Sequence, residues 1–228
     1  RKQQDMLNIM QLGRAMLHPQ GLCAQAAFLV AGQCILDRDG LFYDGNSQGG
    51  IFGGTLMAVS PDIEAGVLGV PGMNYSTLLR RSVDFDQYAI ALYAAYRNSL
   101  DQSLVLSLMQ NLWDRSDTNG YARYLAPGNN LPGTADNKRV LLHVGFSDHQ
   151  VTSYSAEVEA RTIEAKAHCP AFISGTSPQR GDSIGIVSYG AGRAEAATIQ
   201  ELCSVLQQQA GTIVMDCSSQ NFDFCHQY

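Results

Sequence analysis

Segments with helical apolar periodicity alternate along the chain with short, wholly apolar runs. Apolar residues recur at helical spacing over residues 2–18, and Pro19 ends the pattern. The segment 22–36 is apolar and rich in alanine, which predicts a buried helix. Short runs over 41–44, 65–70, 139–145 and 211–216 predict strands, and the fully apolar run over 65–70 is typical of a strand buried on both faces of a parallel sheet.

Helical patterns fill most of the intervals between these strands. They predict helices over 48–59, 153–166 and 193–209, and a mostly helical segment over 76–125. Because strands alternate with helices, we predict an α/β fold with a mainly parallel sheet and flanking helices. The length of 228 residues suits one domain, in which residues 76–130 form a helical cap insertion.

Composition and charge exclude several classes of function. The net charge is −6 and no basic cluster extends beyond Arg80 and Arg81, so nucleic acid is not an expected partner. No apolar run reaches the ~18 residues that a membrane-spanning helix requires, so no membrane span is predicted. No arrangement of cysteine and histidine matches a zinc site, and neither a metal nor an organic cofactor is expected.

The six cysteines show no CxxC spacing. Cys23, Cys34 and Cys203 lie in apolar or helical surroundings, where we interpret them as buried free thiols. Cys217 and Cys225 flank a polar loop, and both a disulfide and two reduced thiols are compatible with that position.

The segment Gly45–Gly49 fits the pattern G-x-S-x-G between a predicted strand and a predicted helix. In that context the pattern is typical of a nucleophile elbow, in which the serine occupies a strained turn with its hydroxyl exposed. Glycine two residues to either side is expected to avoid collisions with the strand and the helix. Ser47 is therefore the candidate nucleophile, and the backbone N–H of Gln48 is a candidate oxyanion donor. A glycine-rich turn with a capping serine is the alternative.

The candidate acid, Asp148, follows a predicted strand that ends in a loop. Open α/β sheets place their sites at the carboxyl ends of strands, although capping of the next helix is a simpler role for the same carboxylate. The sequence leaves open which residue is the catalytic base. His226 follows the last predicted strand and is the first candidate, His149 and His168 are alternatives, and the base is otherwise absent from this chain.

Three segments carry a resemblance to the α/β-hydrolase family, and it extends from about residue 36 to 166. YDGNSQGGIFGG resembles the nucleophile elbow, VLLHVGFSDHQV the strand and loop that carry the acid, and LGVPG the strand between them. The family implies a Ser-Asp-His site that cleaves esters or related acyl bonds through an acyl-enzyme, without a cofactor.

The family usually has several strands before the elbow, whereas about 40 residues precede the elbow strand here. The resemblance therefore implies a missing N-terminal portion or a partner chain that completes the sheet. The expected function is a serine hydrolase acting on a small acyl or ester substrate. The alternative is a catalytically incomplete α/β-hydrolase-like subunit with a structural role in a larger complex.

Overall fold

The computed structural model describes residues 1–136, 138–145 and 148–166, and the backbone alone of 167–168, 187–189 and 213–217. Its strands are β1 (Leu29–Val30), β2 (Gln33–Cys34), β3 (Leu41–Asn46), β4 (Ile63–Gly69), β5 (Arg139–Gly145), β6 (Lys166–His168), β7 (Val187–Tyr189) and β8 (Ile213–Cys217). Its α-helices are α1 (Lys2–Leu17), α2 (Gln48–Val59), α3 (Tyr75–Leu78), α4 (Asp86–Ala95), α5 (Ser99–Trp113) and α6 (Ser153–Thr162). Short 3₁₀ turns lie at Leu22–Ala24, Ala26–Phe28, Leu79–Arg81, Val83–Phe85, Thr118–Gly120 and Ala122–Leu125.

One parallel sheet organises the described residues, with strand order β3-β4-β5-β8-β6-β7. The predicted α/β character and the parallel pairing are confirmed. At its carboxyl end β4 lies between its two neighbours, so that Gly69 pairs with Asn46 on one side and with His143 on the other. Because all the strands run in one direction, β3, β4 and β5 end at the same edge of the sheet.

The main core lies where α2 and α6 pack on this sheet. Its most enclosed side chains are Leu56, Met57, Leu68, Val140 and Leu142, each at most 1% exposed. Burial of each such side chain stabilises the fold by about 1.5–3 kcal/mol. Helix α2 is apolar around nearly its whole circumference, and most of its residues are buried. It packs on β3 and β4 and against the 3₁₀ turns at Thr118–Gly120 and Ala122–Leu125, so its first residue lies close to the end of β3.

The prediction of a buried helix over 22–36 is wrong. The segment forms two 3₁₀ turns and the antiparallel hairpin β1–β2, whose turn residues Ala31 and Gly32 have φ of 51° and 78°. Cys23 and Cys34 form a disulfide with their Cα atoms 5.3 Å apart, whereas eleven residues of helix would separate them by about 16 Å. The prediction that these two cysteines are free thiols is therefore also wrong.

The other cysteine predictions lie outside the part of the chain whose side chains are described. They concern Cys203 and the Cys217–Cys225 pair. The predicted helix over 193–209 lies outside the described residues as well.

The chain between β4 and β5 is largely helical, as predicted, but turns divide it into α3, α4 and α5. A buried carboxylate joins α3 to α5: Asp117 accepts hydrogen bonds from the backbone N–H of Tyr75 at 3.0 Å and from the amide of Gln110 at 2.7 Å. Among the described helices, none combines the length and the apolar character that crossing a bilayer requires.

Helix α6 ends four residues before the predicted boundary at Lys166. Glu164 adopts a left-handed conformation with φ of 57°, and the chain then enters β6. His168 consequently lies in a strand and not at the helix end where the sequence predicted it.

Candidate functional site

Ser47 is an exposed residue in a sparsely populated backbone conformation, with φ of 56° and ψ of −116°. It occupies the single position between β3 and α2. Its N–H donates to the carbonyl oxygen of Gly69 at 3.0 Å, and its own carbonyl accepts from the N–H of Ile51 at 2.9 Å. These bonds to β4 and to the first turn of α2 hold the serine in a conformation that costs about 1–3 kcal/mol for a residue with a side chain.

The glycines around Ser47 differ in how much space a side chain would have at their positions. A Cβ on Gly45 would approach the carbonyl oxygen of Gly49 to 2.7 Å, and a Cβ on Gly50 would collide with the carbonyl oxygen of Gly69. A Cβ on Gly49 would meet the Tyr43 hydroxyl at 3.5 Å, which is ordinary contact. The sequence prediction that both glycines of the pattern avoid a collision therefore holds for Gly45 and is wrong for Gly49, while Gly50 permits the close approach of α2 to β4.

Gln48 is the first residue of α2 and is exposed. The N–H groups of the first turn have no partner within the helix, and the helix dipole adds partial positive charge there. Gln48 lines two cavities, of about 500 Å³ and about 240 Å³, that also share Lys2 and Phe52. An anionic oxygen at this helix start would therefore lie beside an unused backbone donor and an open space.

Asp148 is half-buried and closes the turn that precedes α6. Its Oδ1 accepts hydrogen bonds from the backbone N–H of Gln150 at 2.7 Å and of Val151 at 2.9 Å. Its Oδ2 would lie 3.5 Å from a Cβ placed on Gly145, at the end of β5, and no described residue donates a hydrogen bond to it. The carboxylate thus has the turn-closing role that was the alternative interpretation, and it also keeps one oxygen for another partner.

Ser47 and Asp148 follow two strands of the sheet that are separated by a single strand. Ser47 follows β3, Asp148 follows β5 after a short loop, and β4 lies between them. Val70, directly after β4, has φ of 39° and donates its N–H to the carbonyl of His143 at 2.7 Å. Two strand spacings amount to about 10 Å, so the carboxylate could act on the serine only through a third side chain between them.

The structure describes the side chains of some candidate histidines and not those of others. His149 is exposed, and its carbonyl accepts the N–H of Val83 at 2.9 Å, which ties the acid loop to the helical segment before α4. His143 is half-buried within β5, and His168 belongs to the backbone of β6. His226 lies outside the described residues, so its role as the base stays a prediction.

Sequence analysis did not find the row of rings beside Gln48. The ring centroids of Phe52 and Tyr75 are 6.0 Å apart, and those of Tyr75 and Trp113 are 5.8 Å apart. Burial, followed by the charge of Asp117, raises the pKa of Tyr75 to about 12, so this wall is uncharged. The spacing of four residues between Gln48 and Phe52 places both on one helix face and was the available signal.

Among the described residues, no group of three or more histidine, cysteine, aspartate or glutamate side chains could hold a metal ion. Comparison of the chain with protein-family models, with curated proteins and with solved structures gives no match.

Proposed function

We propose that this protein is a serine hydrolase that cleaves a carboxyl ester or a related acyl bond of a small molecule through an acyl-enzyme on Ser47. The observation that carries the proposal is the exposed Ser47 with φ of 56°, placed between a parallel strand and the start of α2. The proposal includes an α/β-hydrolase-like fold in which residues 76–130 form a cap.

The proposed chemistry uses Ser47 after β3, Asp148 after β5 and a base between them. The base, for which His226 is the candidate, takes the Ser47 proton as Oγ attacks the substrate carbonyl carbon. The carbonyl π electrons move onto oxygen, where the Gln48 N–H and a second donor stabilise the anion. Collapse of this intermediate expels the alcohol, which receives the proton from the base, and water repeats the sequence to release the acid. Asp148 Oδ2 orients the base and stabilises its charged form.

Covalent labelling of the folded protein with a fluorophosphonate probe tests the nucleophile. We expect one probe per chain, attached to Ser47 in a peptide map and lost in Ser47→Ala. Ser99→Ala is the matched control, because Ser99 is also exposed at the start of a helix, α5, but in ordinary helical backbone. A folded protein that does not label would refute the proposal and favour a catalytically incomplete subunit.

Two substitutions separate the acid role of Asp148 from its turn-closing role. Asp148→Asn keeps a carbonyl oxygen for the N–H groups of Gln150 and Val151 and removes the charge. We expect its ester hydrolysis to fall by about 10³–10⁴-fold with little change in unfolding temperature. Asp148→Ala should lose activity and stability together. Full activity in Asp148→Asn would assign the carboxylate to the turn alone.

Single alanine variants of the candidate histidines identify the base. We expect probe labelling to slow strongly in His226→Ala and to be nearly unchanged in His149→Ala and His168→Ala. Full labelling of His226→Ala would show that the assignment of the base is wrong without affecting that of the nucleophile.

A further inference from the structure

The larger of the two cavities next to Gln48 lies between α2 and the helical segment that follows β4. Its volume is about 500 Å³, within the ~300–1,000 Å³ range of ligand pockets. Most of its wall is apolar or aromatic, and the side chains that decide its character are Phe52, Tyr75, Phe85, Met109 and Trp113. Such a wall offers hydrophobic contact over most of a ligand and few hydrogen bonds.

Two polar side chains, Lys2 and Gln48, lie where this cavity meets the smaller one, whereas Ser116 lines the larger cavity alone. Lys2, Gln48 and Phe52 line both cavities, and Lys2 is the single charged side chain among the described residues that line the larger one. The Lys2 ammonium group lies 4.5 Å from the centroid of the Phe52 ring. A ligand with an anionic head and an apolar tail therefore matches a cationic, donor-bearing junction and a hydrophobic chamber.

We infer that the larger cavity binds the uncharged acyl chain of a medium-length aliphatic carboxylate, with its carboxyl carbon at Gln48. This inference rests on the proposed function for its role in catalysis, because Gln48 is the candidate oxyanion donor and the acyl group stays on Ser47 after the alcohol leaves. Binding of the free acid, the product of the second step, depends only on the cavity and its cationic end.

The chain contains one tryptophan, Trp113, and it lines this cavity, so its fluorescence reports directly on occupancy. The experiment titrates Ser47→Ala with sodium butanoate, hexanoate and octanoate. We expect saturable changes in Trp113 emission, with affinity rising about fourfold for each added methylene group. Octylamine, which has the same tail and a cationic head, should bind at least about tenfold more weakly than octanoate.

Two arginine substitutions on α5 provide a matched pair. Met109 and Leu108 are both exposed, at 38% and 60%, but only Met109 lines the cavity. In the Ser47→Ala background, Met109→Arg should weaken octanoate binding by about tenfold or more, whereas Leu108→Arg should leave it unchanged. Circular dichroism and the unfolding temperature establish that both variants are folded.

Equal binding of butanoate and octanoate, or equal binding by the two arginine variants, would overturn this inference. Saturable octanoate binding by a protein that never labels at Ser47 would keep the ligand class and reject the hydrolase proposal. Labelling at Ser47 without chain-length dependence would keep the hydrolase proposal and reject the ligand class.

Discussion

Glu159 on α6 is expected to make the stability of this protein fall as the pH rises from about 4 towards neutrality. The side chain is fully buried, and neither carboxylate oxygen has a hydrogen-bond partner among the described residues. Burial, followed by the negative charge of Asp117, raises the pKa of Glu159 well above its ordinary value. Burial also raises the pKa of Asp117, but hydrogen bonds from Gln110 and Tyr75 favour its charged form. Glu159 accepts none from the described residues, so Glu159 is the carboxyl group that holds its proton more strongly.

The sign of the pH dependence follows from the raised pKa of Glu159. Below the unfolded-state pKa, near 4.3, the group is neutral in both states and the folded protein carries no penalty. Above that pH the unfolded chain releases the proton and the folded protein retains it, so the free energy of unfolding falls by about 1.4 kcal/mol for each pH unit. This loss continues until the pH passes the folded-state pKa.

The substitution Glu159→Gln removes this dependence because the amide is neutral at every pH and has nearly the same shape. We expect the free energy of unfolding of Glu159→Gln to gain on that of wild type by about 1.4 kcal/mol for each pH unit above about 4, up to the folded-state pKa of Glu159. The buried amide group adds its own cost, but that cost does not vary with pH. The pH dependence of the difference in unfolding free energy between Glu159→Gln and wild type therefore reports on the proton of Glu159.

The assay is urea-induced unfolding of both proteins between pH 4 and pH 7, with thermal unfolding as a second measurement. For a chain of this length, 1.4 kcal/mol corresponds to a shift of about 3–6 °C in the unfolding temperature. Glu64→Gln is the control, since Glu64 is exposed in β4. A difference between Glu159→Gln and wild type that is flat across this pH range would refute the reasoning.

Three further predictions concern the elbow and the disulfide. Gly50→Ala should destabilise the protein by about 1–3 kcal/mol in urea-induced unfolding, while Gly49→Ala should not, because only the former side chain collides with β4. Ser47→Gly should be about 1 kcal/mol more stable than Ser47→Ala in the same assay, since glycine adopts the positive φ without strain; equal stability would contradict the strain. Cys34→Ser should lose up to about 3 kcal/mol of stability, and reductant should lower the stability of wild type by more than it lowers that of Cys34→Ser.

The strand over Arg139–Gly145 and the helix over Gln48–Val59 could be predicted from the sequence because their signals are local. The mostly apolar run over 139–145 predicts a strand of a parallel sheet, and the apolar, glycine-rich run over 48–59, directly after the strand that ends at Asn46, predicts a helix packed closely on that sheet. The segment 22–36 could not be predicted in the same way. Its alanine content favours a helix, but a disulfide and the left-handed Gly32 decide the structure, and neither pairing nor φ is visible in composition.

The candidate site shows the same division between local and long-range information. The positions of Ser47 and Asp148 at strand ends follow from the sequence pattern, whereas the turn-closing bonds of Asp148 and the cavity beside Gln48 depend on contacts between distant segments. Glu159 was accessible to the pattern, because Ala156, Ala160 and Ile163 place its position on the buried face of α6.

Backbone strain directly after two adjacent strands is a physical argument that this edge of the sheet has a function. Ser47 and Val70 follow adjacent strands, and both have positive φ although neither is glycine. At about 1–3 kcal/mol each, the two conformations cost a substantial fraction of the ~5–15 kcal/mol by which domains are stable. A fold that needed only to connect β3 to α2 and β4 to α3 could relieve both with glycine. The sequence instead keeps a hydroxyl at the first position and a branched side chain at the second. The buried side chains of α2 and β4 offset the cost, and the result is an exposed nucleophile candidate on a backbone that cannot relax.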